Sequence, residues 1–384
     1  MRGIILASGS MECADMYYAS RFLSFDPFVY IEADDRSILT VWSGEIERAR
    51  NASGADEVWD QDDFLAGPEA VAVSDNIWLP AVVAGAARRA GLTEAIVPDW
   101  FPIACGDALR VQGIGVTVDA MVVRERRRRK SVDEVAAIEG SLRVTEAALE
   151  HIRSRLRQTT VGDVGDLWLD GQTLTSESLQ DEVRALYAMH HCEGALPIIA
   201  GGAQGAEGLS PGRGPLRAGE PIVCDIFPRH TETRFFGDMT RVFCVGDVSP
   251  GLARVHDSVR RANELGRSLM RPGARGSEVY ATVAELFHQE GYSTPLHDIG
   301  DGDAAGDRAA FHFPDFLGHG LGMDVHEDWI GLGPEFDGLL HEGDVVTVEP
   351  ELYRDGWGCV RLEDVVLVTA DGCRTLSRFD YEMI

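Results

Sequence analysis

Three carboxylates interrupt runs of Val, Ile, Leu and Thr in the second half of the chain: Asp225 in VCDIF, Glu349 in VVTVEP and Glu363 in VRLEDVVLV. Runs of this composition favour strands. A carboxylate buried among neighbouring strands is costly unless it is paired or bound to a cation. Any fold this chain adopts must meet that cost at three places. Asp238, in GDMTRVF, and His319, in GHGLGMDVHE, add two further donors. Four carboxylates and one imidazole suit a pair of divalent ions sharing a water. Taken singly, each of these residues reads as a surface acid or a satisfied histidine, so the reading rests on the set.

Composition narrows the partners. A chain of 384 residues has room for two domains, each with a buried core. A net charge of -28 argues against nucleic acid or an anionic membrane surface as a partner. It reads as a solvated surface, with part of the excess neutralised by bound cations. The seven cysteines are scattered without a CxxC spacing, as expected of reduced, mostly buried thiols. Cys224 and Cys244 lie in apolar runs and read as packing residues. No run approaches the ~20 apolar residues that span a bilayer. The apolar stretch Ile4 to Ala7 is too short for the core of a signal peptide. The expectation is a cytoplasmic protein.

Residues 1–123 alternate between strand and helix signals, which argues for a layered α/β domain. FVYIEA and SILTVWS read as strands either side of an Asp34-Asp35-Arg36 turn. GEIERARNAS reads as a short helix, EAVAVS as a strand, WLPAVVAGAARRAG as a helix ending at Gly91, and EAIVPD as a strand. There is no glycine-rich phosphate loop. RERRRRK, at 124–130, reads as a solvated linker leading into a helix, and places the domain boundary before residue 124. Ser131 and Glu134 form a capping box. Val132, Val135, Ile138, Leu142, Leu149 and Ile152 recur at helical spacing, giving a helix to about residue 155. Further helices are expected over Leu179 to Met189, Pro250 to Leu269 and Ser277 to Glu290. A short strand, Pro197 to Ala200, precedes a Gly- and Pro-rich loop and the strand of Asp225.

The ordered motifs D-x(12)-D-M-T-R, G-H-G-L-G-x(3)-H-E, T-V-E-P-x-x-Y and R-x-E-D resemble those of the pita-bread metallopeptidases. That superfamily includes Xaa-Pro aminopeptidases, prolidases, methionine aminopeptidases and creatinase. DMYYASRFLSFDPFVYIE and VPDWFPIACGDALR resemble the N-terminal domain of the Xaa-Pro aminopeptidase, prolidase and creatinase branch, a domain that methionine aminopeptidases lack. The resemblance implies an α/β N-terminal domain over 1–123 and an α+β pita-bread (creatinase/aminopeptidase) catalytic domain over 124–384, the latter with two pseudo-symmetric halves. It implies that Asp225 chelates one metal, that Asp238 and Glu363 bridge both, and that His319 and Glu349 bind the other. Manganese is the first expectation because oxygen donors dominate, with cobalt, zinc and iron compatible. A hydroxide bridging the metals would attack a peptide carbonyl. Glu349 would move the proton, and His326 would contact the substrate or stabilise the tetrahedral intermediate. Arg361 and Thr240 would support the ligands. The implied activity is that of an Xaa-Pro dipeptidase or aminopeptidase on short peptides, in a homodimer.

The sequence departs from the family's pattern around the substrate. Proline-directed members carry two further histidines; here their positions hold Leu209, in GLSPGRGPL, and Asp315, in FHFPDFLGHG. Leucine has no hydrogen-bonding group and an ionised aspartate can only accept. His312 is a nearby substitute if the loop bulges. Glu351 stands where glycine commonly follows the E-P pair. Asp225 and Asp238 are two residues further apart than usual, which an extended hairpin after DIFPR absorbs. His190 and His191 are candidates for proximity to the site, whereas His230 and His341 read as solvated turn residues. These departures leave open a small, non-peptide substrate, with C–N hydrolysis or a metal-assisted lyase or decarboxylase step. A binding protein on an inactivated peptidase fold is disfavoured, because such proteins tend to lose ligands and this chain keeps them.

Overall fold

The chain divides between Arg128 and Arg129. The computed structural model describes residues 1–66, 78–297 and 306–384. The expected strand EAVAVS lies outside the described residues. The division falls after Arg128 rather than before Arg124, because Arg124–Arg128 forms a short helix whose Arg127 is buried against Asp15 at 2.6 Å. Within the helix only Arg127 is packed into the first unit; Glu125 and Arg126 remain exposed.

The first unit, Met1–Arg128, is built on one six-stranded sheet. Its order across the sheet is Glu57–Asp60, Arg36–Val41, Phe28–Ala33, Arg2–Ser8, Glu94–Val97 and Gly115–Val118. Pairing is antiparallel among the central strands and parallel at both edges. The alternation of side chains decides which face each residue covers. Ile5, Ala7, Val29 and Ile31 pack on one face with the helix Trp78–Arg89. Leu6, Phe28, Tyr30 and Leu39 pack on the other with Met16 and Ala49. Asp34 and Asp35 take left-handed backbone (φ 48° and 59°), the conformation a two-residue hairpin turn requires.

The second unit, Arg129–Ile384, repeats one order of elements twice: two helices, then an antiparallel sheet. The first helix, Val132–Arg157, opens with the expected reciprocal cap between Ser131 and Glu134. The next, Ser176–Met189, starts three residues before the expected Leu179, because Thr175 and Ser178 cap each other's backbone. Their sheet is Ile198–Gly201, Ile222–Ile226 and Met239–Phe243. In the second half the helices are Pro250–Leu269 and Gly276–Gln289. Their sheet orders Glu327–Leu332, Gly318–Gly320, Val345–Val348, Asp364–Thr369 and Gly372–Thr375. A ribbon of Glu351–Arg354 and Gly358–Arg361 accompanies it. The core holds Tyr280, Phe287 and Phe313, with Tyr280 stacked on Phe313 at 5.1 Å. Among the described residues no helix is long and apolar enough to cross a membrane.

Candidate metal centre and its cleft

The sheets of the second unit deliver all five carboxylate and imidazole positions to one place. Asp225 lies in the strand Ile222–Ile226, directly opposite Thr240. Between them runs the hairpin after DIFPR, closed by the Arg229–Phe236 bridge and tied to Cys192–Glu193. Asp238 follows Gly237, where a Cβ would lie 2.6 Å from the backbone of Ser141. A side chain there would push Asp238 away from the helix, so glycine sets its position. His319 is the middle residue of Gly318–Gly320. A Cβ on Gly318 would lie 2.1 Å from the carbonyl oxygen of Thr347, so this strand seats on its neighbour only with glycine.

Hydrogen bonds then orient each group. The Thr347 hydroxyl accepts from the His319 backbone N–H and donates to Glu349 Oε1, both at 3.0 Å. The Thr240 hydroxyl donates to Glu363 Oε2 at 2.9 Å and accepts from Arg361 Nε at 3.2 Å. Arg361 also donates to Asp225 Oδ2 at 2.6 Å and to Glu351 Oε2 at 3.1 Å. Glu351 thereby acquires a reason: it is a second counter-charge for a buried guanidinium. The expected supporting residues, Thr240 and Arg361, both touch the acids.

His319 Nδ1 lies 3.0 Å from the Gly320 carbonyl oxygen, which fixes the N–H there and leaves the Nε2 lone pair facing inward. Nε2 stands 3.2 Å from Glu349 Oε1, 3.6 Å from Asp238 Oδ2 and 3.9 Å from Glu363 Oε1. Asp238, His319 and Glu363 offer donor atoms all within 4.8 Å of one another. All three are buried, as is Asp225, whose Oδ1 has no hydrogen-bond partner. A lone pair, an unsatisfied buried oxygen and several buried carboxylates with one guanidinium among them need a cation. The proton affinities carry the same strain. Burial, then the charges of Asp225 and Glu349, pushes Asp238 well above the carboxylate range. Burial, then Asp238 and Glu349, does the same to Glu363. Burial pushes Glu349 up to about 7 against the pull of Arg361. It also pushes His319 down, favouring the neutral ring that binds metals. The residues present therefore fit a bound metal.

This cluster forms the floor of a cavity of about 660 Å³. Leu196, Leu209, Phe227, Phe316 and Val325 supply much of its wall. His326 stands exposed on the wall, its ring edge-on to that of His319 with centroids 4.4 Å apart. Burial, then the neighbouring His319, pushes its proton affinity down. Leu209 lines the cavity with 78% of its surface exposed. Asp315 is exposed and absent from the described lining, although Pro314 and Phe316 on either side belong to it. His312 does not replace the missing histidine: its backbone pairs with Tyr353 and its side chain is outside the described lining. His190 and His191, at the end of Ser176–Met189, are exposed and also outside it. His230 lies in the short strand Arg229–His230, paired with Cys192, rather than in a turn, and His341 opens the turn to Asp344; both are half-buried rather than fully solvated.

One functional neighbour escaped sequence reasoning. Lys130, the last residue of the basic run, is buried against Glu327 at 2.5 Å, each side chain 1% exposed. Glu327 follows His326 directly and begins the strand Glu327–Leu332. The available signal was that Lys130 is the chain's single lysine among 35 basic residues. A charge run reads as a solvated surface, and nothing local marks which member turns inward.

Comparison with known proteins places the chain in a family. Residues 136–370 match Metallopeptidase family M24. The "Probable dipeptidase PepE" of Mycobacterium tuberculosis is 28% identical over 309 residues, 79% of this chain and 72% of that protein. Among solved structures, the Xaa-Pro dipeptidase from Bacillus anthracis superposes with a TM-score of 0.78 at 20% identity, covering 100% of this chain and 94% of the other. The X-Pro aminopeptidase from Thermotoga maritima gives 0.77 at 19% identity, covering 100% and 97%. At these identities the structural likenesses show the fold, an α/β domain followed by a pita-bread domain.

Proposed function

The chain belongs to metallopeptidase family M24, and from that premise we propose that it is a dinuclear metal-dependent hydrolase of short peptides. Xaa-Pro dipeptides or the first bond of longer Xaa-Pro peptides are its substrates in this reading. The observation that carries it is the buried donor set, with Asp225 Oδ1 unpartnered and His319 Nε2 facing the carboxylates at the floor of a cleft. Asp225, Asp238, His319, Glu349 and Glu363 would hold two divalent ions, manganese first. Bound there, such ions supply a water that ionises near neutral pH and an electrophile for the scissile carbonyl. Glu349 takes the proton from the attacking water and returns it to the leaving nitrogen. His326, on the cleft wall, donates to the carbonyl oxygen as charge develops. The apolar wall excludes water around the scissile bond. The same reading makes the protein a cytoplasmic homodimer, which light scattering of the purified protein tests for assembly.

The test is hydrolysis by protein stripped of metal and reloaded with Mn²⁺ or Co²⁺, against Xaa-Pro dipeptides, longer Xaa-Pro peptides and Met-peptides. Metal-dependent release of the first residue is expected. A folded, metal-loaded protein that cleaves none of them sinks the reading. It would favour the second one, a non-peptide substrate, which Leu209 and Asp315 motivate at the positions of the family's substrate histidines.

A further inference from the structure

The strand Glu327–Leu332 presents opposite faces to two different surroundings. Glu327 turns inward onto Lys130, and both side chains are 1% exposed. Side chains alternate along a strand, so His326 and Asp328, on either side of Glu327, turn the other way, and both line the cleft. The buried ion pair fixes which face is which. Gly322 is part of the same arrangement: a Cβ there would lie 2.2 Å from Glu327 Oε1, so the loop carrying His326 closes directly over the pair.

Asp328 differs from every other acid in the cleft. Six carboxylates line it: Asp225, Asp238, Asp328, Glu349, Glu351 and Glu363. Two divalent cations and Arg361 together balance five of these six charges. Asp225 and Glu351 bond Arg361, Glu363 bonds Thr240, and Glu349 bonds Thr347. Asp238 sits within the donor set of the floor. Among the described residues the Asp328 carboxylate meets no hydrogen-bond or ion-pair partner. Among the described residues lining the cleft, no side-chain guanidinium or ammonium is left for an anionic ligand. All three guanidinium nitrogens of Arg361 are in use. In the adjoining hollow Arg229 donates to Glu193 through Nε and Nη2, and Arg234 donates to the same carboxylate.

We propose that Asp328 is a specificity-determining residue that binds a protonated amine of the substrate, with the apolar wall taking the carbon body attached to it. The ligand class is therefore an ammonium group on an apolar frame, and not an apolar carboxylate. An N-terminal amine and a basic side chain share this chemistry. The proposal deepens the peptidase reading and rests on it for the identity of the cleft.

The test is calorimetric titration of the metal-loaded protein, which needs no turnover. Isoamylamine and isovalerate share an apolar body and differ in charge. The wild type should bind isoamylamine in preference to isovalerate. Asp328→Asn should weaken isoamylamine about tenfold, as expected for loss of a charged hydrogen bond, and leave isovalerate unchanged. Asp328→Lys should reverse the preference. Thermal melts of both variants check that the fold is intact, which is expected of an exposed position. Leucinamide and acetyl-lysinamide separate the two sources: a response confined to leucinamide assigns an N-terminal amine, and one confined to acetyl-lysinamide assigns a basic side chain. Equal binding of isoamylamine to wild type and Asp328→Asn, or equal binding of the amine and the acid to the wild type, overturns the proposal. Because no bond is cleaved, a failure of Xaa-Pro hydrolysis leaves this result standing, and a negative titration leaves hydrolysis untouched.

Discussion

On the floor of the cleft, Asp225, Asp238, His319 and Glu363 are buried, and Thr240, Thr347, Arg361 and the Gly320 carbonyl hold the donor set from several strands. On the wall, Leu209 is 78% exposed, Asp315 lies outside the lining, and Asp328 meets no hydrogen-bond or ion-pair partner among the described residues. A substitution on the floor strands a charge or a hydrogen bond in a low-dielectric interior. A substitution on the wall changes what water or substrate touches. The floor can therefore keep its chemistry while the wall drifts to another substrate. Leu209 and Asp315 read as drift of that kind.

The comparison breaks if floor and wall respond alike. The largest effect is expected from His319→Ala. Losing a ligand removes several kcal/mol of electrophilic stabilisation, so hydrolysis should fall roughly a thousandfold or more. Metal content measured by mass spectrometry should fall with it. Full metal occupancy and full activity in that variant would remove the floor from the mechanism.

Lys130→Met asks whether the wall has a rigid backing. Taking the cation from Glu327 should cost about 3–5 kcal/mol of stability, as for other broken buried pairs. Replacing both residues by Met should recover most of it. Denaturant titration measures this. Because Lys130 is the single lysine, a carbon label on its side chain gives one resonance that reports the pair directly.

Acid sensitivity separates unfolding from protonation in the cleft. His256, in the helix Pro250–Leu269, is buried with Nε2 unpartnered. Burial, then the charge of Arg260, pushes its proton affinity down to about 4. Its folded value lies below its unfolded one, so the unfolded chain binds the extra proton between them. The stability it contributes is present above about pH 6.5 and is lost as pH falls toward 4, amounting to roughly 3 kcal/mol. His256→Gln should flatten that part of a stability-against-pH curve without moving the acid limb of metal binding.

The smallest effect is expected from Leu209→Ala. Its exposure predicts a stability change within about 0.5 kcal/mol, whereas KM for apolar substrates should rise. A large loss of stability there would mean that the wall is built like the floor.

Much of this was legible in the sequence because local rules and tertiary contacts agreed. The capping box at Ser131 and the helical run from Pro250 to Leu269 gave helix bounds that the fold repeats. The ordered motifs gave the floor, since a buried carboxylate in a strand is tolerable only beside its partners. The fold placed four carboxylates, in or beside strands, together with His319. The helix start at Ser176 was missed because Thr175 with Ser178 is a weaker cap signature than serine with glutamate. The inward turn of Arg127 and Lys130 was missed because a basic run carries no periodicity that marks one member as buried. Glu351 looked like a departure until Arg361 was seen to bind it.

By itself the sequence determined the type of chemistry: which donors the chain owns, and that they belong on strands around a cation. The tertiary structure alone decided the substrate side. Whether an exposed leucine lines a cleft, whether His312 reaches it, and which of six acids lacks a partner depend on approaches between residues far apart in the chain. Such approaches are set by packing and strand register, to which local spacing is blind.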